Sequence, residues 1–313
     1  MTFLNIRNLR VRFMSQSGVI HALNSIDFSI DAGESCALVG ESGCGKSVLG
    51  MAIIRLLPSN AVIDGEIRFR EKNMAEMSEK DMQEIRGKEI AMIPQNSAMA
   101  LNPVMTIGSQ ITETILLHRK VSHRESTERA IELLKSLGFQ EPEKAMDRYP
   151  HEFSGGMRER VLIAMSLACS PVCIIADEPT AGLDLIIRNQ TIVLLKEQSK
   201  EKTLLLITHD LGCAYRLCNW ITVMYAGEII ESGPTKEVLS HPFHPYTIGL
   251  LASIPSAGLH PISGMSPSPS NFPAGCRFAE RCKSPLIRCQ KEHPSLVLID
   301  GVRKVRCFYY DRT

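Results

Sequence analysis

No apolar run in this sequence approaches the roughly 20 residues that a helix needs to cross a bilayer. The longest, residues 161–169 and 203–208, suit a buried helix face and a buried strand instead. The first residues, Met1-Thr2-Phe3-Leu4-Asn5-Ile6-Arg7, lack the charged-then-apolar layout of a secretory signal. Charge does not lean either way: 35 Lys and Arg against 34 Asp and Glu leave a net +1. That excludes a global field drawing the chain to nucleic acid or acidic lipid. No internal repeat is present. The expectation is a cytosolic chain whose membrane role must come through a partner.

What is present is ordinary for a globular protein. The 313 residues are 44% apolar and 22% charged, enough for one large or two modest domains. Ten cysteines are many, and they are unevenly spread. Six stand singly before residue 220, several inside apolar runs where a thiol is a small hydrophobe. Cys276, Cys282, Cys289 and Cys307 crowd the end, and in a reducing cytosol disulfides are the weakest explanation for them.

Short apolar runs alternate with helical patterns over the first 250 residues, the rhythm of an α/β domain. Ser35-Cys36-Ala37-Leu38-Val39, Ile90-Ala91-Met92-Ile93, Val172-Cys173-Ile174-Ile175-Ala176 and Thr203-Leu204-Leu205-Leu206-Ile207 read as strands. Residues 46–57 read as a helix stopped by Pro58, and another helix centres on residues 186–200. Residues 106–138 read as wholly helical, with a stripe of Ala130, Leu133, Leu134 and Leu137. The domain expected is 1–253, with a helical subdomain inserted at about 96–160. Five prolines and five serines then mark 254–275 as a linker or an extended strap. The tail, 276–313, is too short for its own core without a staple or a neighbour.

Gly40-Glu41-Ser42-Gly43-Cys44-Gly45-Lys46-Ser47 follows a strand and opens a helix, which is the context a phosphate-binding loop requires. Glycines let backbone N–H groups turn toward phosphate oxygens, and the helix start adds positive potential. Lys46 suits the β and γ phosphates, and the Ser47 hydroxyl suits Mg²⁺. Asp177 and Glu178 end the strand at 172–176, on the edge where open α/β sheets hold ligands. Asp177 fits the Mg²⁺ shell, and Glu178 fits the water that attacks γ-phosphate, as base or positioner.

Phe153-Ser154-Gly155-Gly156-Met157 precedes an apolar-faced helix, with Ser154 as a natural N-cap. It reads as a second anion site, serving an ATP held by another subunit. His209, in Ile207-Thr208-His209-Asp210, can contact γ-phosphate. Gln95, after Ile93-Pro94, can ligate Mg²⁺ through its amide oxygen and report nucleotide state to the helical insert.

Together these segments resemble the ATP-binding subunits of ABC transporters over roughly residues 3–250. The loop at 40–47 resembles Walker A, residues 172–178 Walker B with its catalytic glutamate, and 153–157 the signature loop. Gln95 matches the Q-loop, Ala181-Gly182-Leu183-Asp184 the D-loop and His209 the H-loop. The resemblance implies a P-loop NTPase fold of the ABC nucleotide-binding type, with an inserted helical subdomain and a small Cys-rich extension. It implies ATP and Mg²⁺ as ligands, with nucleotide contacts carried over to Gly40, Glu41, Ser42, Gly43, Cys44, Gly45, Lys46, Ser47 and Val48. Gln95, Asp177 and, across a head-to-tail dimer, Ser154, Gly155, Gly156 and Asp184 complete that set. Lys46, Gln95, Glu178 and His209 are the expected catalytic residues, and Phe13 is either the adenine platform or a core phenylalanine at a strand end.

Val39-Gly40-Glu41-Ser42-Gly43, Asn102-Pro103, Gly155-Gly156-Met157-Arg158 and His244-Pro245-Tyr246-Thr247 point to the oligopeptide, dipeptide and nickel importer branch. So does Cys276-Arg277-Phe278-Ala279-Glu280-Arg281-Cys282 behind a Pro-rich segment. The departures are Phe153, Met157, Gly182 and Glu159 at positions where the pattern favours leucine, glutamine, alanine and glutamine. The branch implies two transmembrane permease subunits, a second ATPase (a homologue or another copy) and an external substrate-binding protein. It places the chain on the cytoplasmic face of the membrane, with no nucleic acid partner; a soluble ABC ATPase acting outside transport is the alternative.

Four thiolates could supply the tail's missing staple. Their spacing matches no tight zinc module or ferredoxin run. The resemblance favours a [4Fe–4S] cluster on Cys276, Cys282, Cys289 and Cys307, with zinc second.

Overall fold

A computed structural model describes residues 2–16, 18–95, 97–255 and 258–311. The expected boundaries at residues 1, 96 and 313 lie outside them, as do Ser256 and Ala257 of the Pro/Ser segment. The chain divides into two compact units, Met1–Glu76 with Ile207–Thr313, and Met77–Leu206.

The first unit holds an antiparallel sheet in the order Gly18–Asp31, Thr2–Ser15, Ala61–Phe69, Lys72–Asn73. Alternation along these strands sends Leu4, Ile6, Leu9, Val11, Ile26 and Ile30 into the core at 0–1% exposure. Each such side chain contributes about 1.5–3 kcal/mol by leaving water. A second run of strands is ordered Val297–Leu298, Lys304–Val305, Glu228–Pro234, Trp220–Tyr225, Ser35–Val39. Ser35–Val39 pairs in parallel with Trp220–Tyr225 in the register Ala37 to Ile221. Burial pushes the Cys36 thiol in this strand up to about 12, so it is a neutral apolar filler.

Two of the last strands come from the tail, which therefore borrows its core from the body. Val305 sits opposite Glu231, and Phe278, Cys289, Cys307 and Phe308 are buried. The described part of the Pro/Ser segment is held to the body by backbone hydrogen bonds. The His21 N–H donates to the Pro269 carbonyl at 2.8 Å, and the His260 N–H to the Ala252 carbonyl at 2.9 Å.

The second unit carries residues 203–206 of strand Thr203–Thr208, with Cys173–Asp177 and Ile90–Ile93 as neighbouring strands, the last two parallel. Its remaining mass is mostly helical. Residues 106–138 are helical as expected except for a break at 119–122 between helices Ile107–His118 and His123–Ser136. The break has a local cause. Ser122 accepts the Glu125 N–H while the Glu125 carboxylate accepts the Ser122 N–H, a capping box that starts a new helix. The expected stripe is found, with Ala130, Leu133, Leu134 and Leu137 all buried. The helix expected over 46–57 stops at Ile53, because Arg55 turns left-handed at φ 54 and leaves Leu56 exposed. Among the described residues no helix is long and apolar enough to cross a membrane.

Candidate functional site

The loop from Gly40 to Ser47 joins strand Ser35–Val39 to helix Lys46–Ile53 in the first unit. Three of its glycines are required by geometry. Gly43 and Gly45 take φ 79 and 106, where a side chain is strained. A Cβ on Gly40 would lie 2.2 Å from the Met224 carbonyl oxygen, a backbone atom that cannot move aside cheaply. Helix Lys46–Ile53 starts with no side chain capping it, which leaves its first turn to whatever anion the loop accepts. Lys46 is 6% exposed, and its ammonium donates to the Gly40 and Glu41 carbonyls at 2.8 and 2.9 Å. The lysine is thereby held on the loop itself. Cys44 is buried beside it and its thiol is raised, by burial first.

The loop also rests on supports far away in sequence. The Glu41 N–H donates to the Tyr246 hydroxyl at 2.8 Å. Tyr246 is fully buried, against Tyr225 at 4.7 Å and the tail's Phe278 at 5.5 Å between ring centres. His244 starts the helix Pro245–Ala252 by accepting the Tyr246 N–H on Nδ1 at 3.0 Å. Burial lowers the His244 pKa to about 3, so the ring is neutral. The segment His244-Pro245-Tyr246-Thr247, noted in the sequence only as a family marker, therefore has a physical role at the phosphate loop. Nothing in its local pattern shows that role, because the contact spans 205 positions.

His209 lies in this same unit, exposed, one residue past strand Thr203–Thr208. Asp210 beside it caps helix Leu211–Leu217, accepting the Gly212 and Cys213 N–H groups at 2.9 and 3.1 Å. Phe13 is half-buried on strand Thr2–Ser15, opposite Ile20 and Ala61.

In the second unit, Asp177 ends strand Cys173–Asp177 and is 4% exposed, with Glu178 beside it at 8%. Glu178 adopts φ 49, a left-handed conformation that costs a residue with a side chain about 1–2 kcal/mol. Strain of this kind at a strand end fixes where the carboxylate is presented. Gln95 is exposed just past strand Ile90–Ile93.

Ser154 caps helix Gly155–Leu167 as its sequence suggests, accepting the Met157 N–H at 3.4 Å. Val161, Ile163, Ala164 and Leu167 are buried on that helix, and so is Glu159. A Cβ on Gly156 would lie 2.4 Å from Ile187 Cγ2, so this glycine permits a close helix approach. A cavity of about 520 Å³ opens beside Ser154 and Gly156 and is also lined by Arg148 and Arg160. Asp184 caps helix Leu185–Gln198, accepting two N–H groups at 3.0 Å.

The cysteines expected to hold a metal, Cys276, Cys282, Cys289 and Cys307, all lie in the tail. Among the described residues no group of three or more His, Cys, Asp or Glu side chains is set to hold a metal ion. Among the described residues no cysteine forms a disulfide. Burial pushes the Cys276 thiol up to about 11 and raises those of Cys282 and Cys307. The Cys276 N–H donates to the Cys289 carbonyl at 2.8 Å.

Residues 23–181 match the model of the ABC transporter family, and residues 230–289 match that of the oligopeptide/dipeptide transporter C-terminal region. The chain is 43% identical to the oligopeptide transport ATP-binding protein AppD of Bacillus subtilis, over 99% of its own length and 97% of that protein's. It is 41% identical to the dipeptide transport ATP-binding protein DppD of the same organism, over 99% and 95%. Among solved structures it resembles the dimeric, post-hydrolysis ATP-binding cassette MJ0796 bound to ADP and Pi. That match has a TM-score of 0.67 and 26% identity, over 74% of this chain and 98% of that one.

Proposed function

The chain belongs to the ABC transporter family, and we propose that it is the ATP-hydrolysing subunit of an importer of small peptides. The observation that carries this reading is the phosphate loop, with a buried Lys46 and an uncapped helix start behind three glycines that geometry requires. Both relatives above are named for peptides, which favours peptide over a nickel or other metal complex as cargo. Both are named as transport proteins, which disfavours a soluble ATPase acting outside transport.

In this reading Gly40 to Val48 cradle the polyphosphate through backbone N–H groups, and Lys46 turns from the loop carbonyls to the β and γ oxygens. Phe13 stacks on the adenine. Glu178 takes or orients the proton of the attacking water, and His209 steadies the γ-phosphate. Ser47, Asp177 and Gln95 offer hydroxyl, carboxylate and amide oxygens, the hard donors that suit Mg²⁺. When bound, the ion neutralises charge between the β and γ phosphates. Ser154, Gly155, Gly156 and Asp184 serve the ATP of a second ATPase, a homologue or another copy, paired head to tail. The MJ0796 cassette, described as dimeric, supports that pairing.

Two permease subunits would carry the movement across the membrane. An external binding protein would deliver the cargo, and this chain would sit at the cytoplasmic face. The helical insert at about 96–160, the strap at 254–275 and the Cys-rich extension at 276–313 complete the proposed organisation. For the tail the finer reading is a [4Fe–4S] cluster, with zinc second, supported by the count of four thiols in a segment without its own core. Among the described residues no group of three or more His, Cys, Asp or Glu donors is set to hold a metal ion, and no step of ATP turnover depends on a metal in the tail. Iron, sulfide and zinc assays on anaerobically purified protein decide between a loaded tail and a thiol tail.

The test of the main reading is capture of the tagged chain from its native membranes. Recovery of two membrane subunits and a second ATPase supports it. Recovery of ribosomes or DNA without membrane subunits would overturn it.

A further inference from the structure

One ion pair ties the tail to the phosphate loop across 240 positions of sequence. Arg281 Nη1 donates to Glu41 Oε2 at 2.9 Å, and Nη2 donates to Oε1 at 2.9 Å. This two-pronged geometry is the strong form of a guanidinium–carboxylate contact. Its setting is far from a surface ion pair. The Arg281 side chain is 6% exposed and that of Glu41 is 29%. The Pro/Ser segment and strand Trp220–Tyr225 supply the remaining partners. Arg281 Nε donates to the Ser263 carbonyl at 3.1 Å, and Nη1 also donates to the Tyr225 hydroxyl at 3.2 Å. Ser266 Oγ donates to Glu41 Oε2 at 2.8 Å. Burial pushes the Glu41 carboxyl up, and the Arg281 and Ser266 bonds outweigh it and hold the group below its ordinary range.

The pair could merely pin the tail to the body, but the other polar groups of Glu41 argue for more. Its carbonyl receives the Lys46 ammonium at 2.9 Å, and its N–H is fixed by Tyr246 at 2.8 Å. All of its polar groups are therefore engaged in setting the loop, and the carboxylate is engaged by the tail. A carboxylate on a loop built for a polyanion is also electrostatically adverse unless a cation neutralises it. Within this unit Lys46 is engaged by carbonyls, and Arg281 takes both oxygens of the carboxylate.

We propose that Arg281 is a positioning residue for nucleotide binding. The tail supplies, from within the same chain, the charge that neutralises Glu41 and the fork that fixes the phosphate loop, so ATP affinity depends on a docked tail. The proposal rests on the nucleotide-site reading given above. It assigns the C-terminal extension a role at the phosphate loop that needs no metal.

The experiment uses the full chain and a fluorescent ATP analogue carrying a methylanthraniloyl group, with competition by ATP. R281A is expected to weaken binding about tenfold, since a charge-assisted pair is lost and a bare carboxylate is left facing phosphate. In turnover by the assembled complex the loss is expected to fall on KM more than on kcat. The double variant R281A/E41Q is expected to regain most of the lost affinity, because the repelling charge has gone. A purely structural pin would leave the double variant as weak as R281A, or weaker, and that result would overturn the proposal. So would R281A binding as tightly as the unaltered chain. Should R281A not fold, R281Q keeps amide donors for Glu41 and Tyr225 without the charge, and about fivefold weaker binding is expected; equal binding would again overturn the proposal. Failure of the unaltered chain to bind the analogue at all would overturn the nucleotide-site reading itself, and this proposal with it.

Discussion

The Tyr246 hydroxyl accepts the backbone N–H of Glu41 at 2.8 Å from a position with no exposed surface. A phosphate loop is a set of backbone dipoles, and its shape is only as fixed as the groups that hold its backbone. Here a tyrosine on helix Pro245–Ala252 does part of that holding. The ring of Tyr246 packs on Tyr225 and on Phe278, so the contact depends on the tail being docked.

Tyr246→Phe keeps this ring packing and removes the acceptor. The Glu41 N–H then loses its partner in a half-buried place, which costs about 1–2 kcal/mol. The expected outcome is a rise of about three- to tenfold in KM for ATP with a smaller change in kcat. Steady-state ATPase kinetics check it. An unchanged KM would mean that the loop holds its shape without the tyrosine.

The parts of this molecule that the sequence discloses are those whose geometry is local. Strands Ser35–Val39 and Ile90–Ile93 fall at the limits that their apolar runs suggest, and Ser154 caps its helix from within three residues. The phosphate loop is equally legible, because glycines, lysine and flanking elements are contiguous. The division of residues 106–138 was also written locally, in Ser122 and Glu125, and was hidden by an apolar stripe that runs through the second helix alone. Contacts of high sequence separation could not be read. Arg281 and Tyr246 carry no motif that names Glu41 as their partner, and the four tail cysteines carry no spacing that fixes their arrangement. Packing of the tail on the body, not its pattern, decides where those side chains stand.

His244 gives a prediction in pH. Its folded pKa is about 3 because of burial, against an ordinary value near 6.5. Between those values the unfolded chain binds a proton that the folded chain does not. The stabilisation is therefore complete above about pH 6.5 and is lost as pH falls, by about 1.4 kcal/mol per unit at most. Urea unfolding at pH 7.5, 6.5 and 5.5 should show a steeper loss for the unaltered chain than for His244→Asn, which still caps the helix. Parallel profiles would mean that the ring is not held neutral.

Glu178 joins the role proposed for it in γ-phosphate hydrolysis to a backbone one. Glu178→Gln keeps size and hydrogen bonding but not basicity. It is expected to lower turnover by about 10²-fold or more while ATP binding persists. Rapid turnover by that variant would sink the assigned role. The φ of 49 at the same residue adds a check on stability. Glu178→Gly should be more stable than Glu178→Ala by about 1 kcal/mol, since only glycine occupies that region without strain. Equal melting midpoints for the two would argue that the backbone relaxes.

Gly156 tests the proposed signature loop through packing. Helices Gly155–Leu167 and Leu185–Gln198 approach so closely at this residue that an added Cβ would meet Ile187 Cγ2 at 2.4 Å and Ile187 Cβ at 3.5 Å. The methyl and Cβ of a branched side chain sit near its own backbone and cannot swing clear, so one of the helices must shift. Overpacking of this kind costs about 1–3 kcal/mol. The shift falls on the turn where Ser154 caps the helix and on the adjoining turn where Asp184 does the same. Gly156→Ala is therefore expected to lower ATP turnover of the assembled complex severalfold and to lower the melting midpoint. Adding Ile187→Ala makes room for the new methyl, so the double variant should recover part of both losses. If it recovers neither, close approach is not what the glycine is there for, and its bare backbone N–H becomes the better explanation.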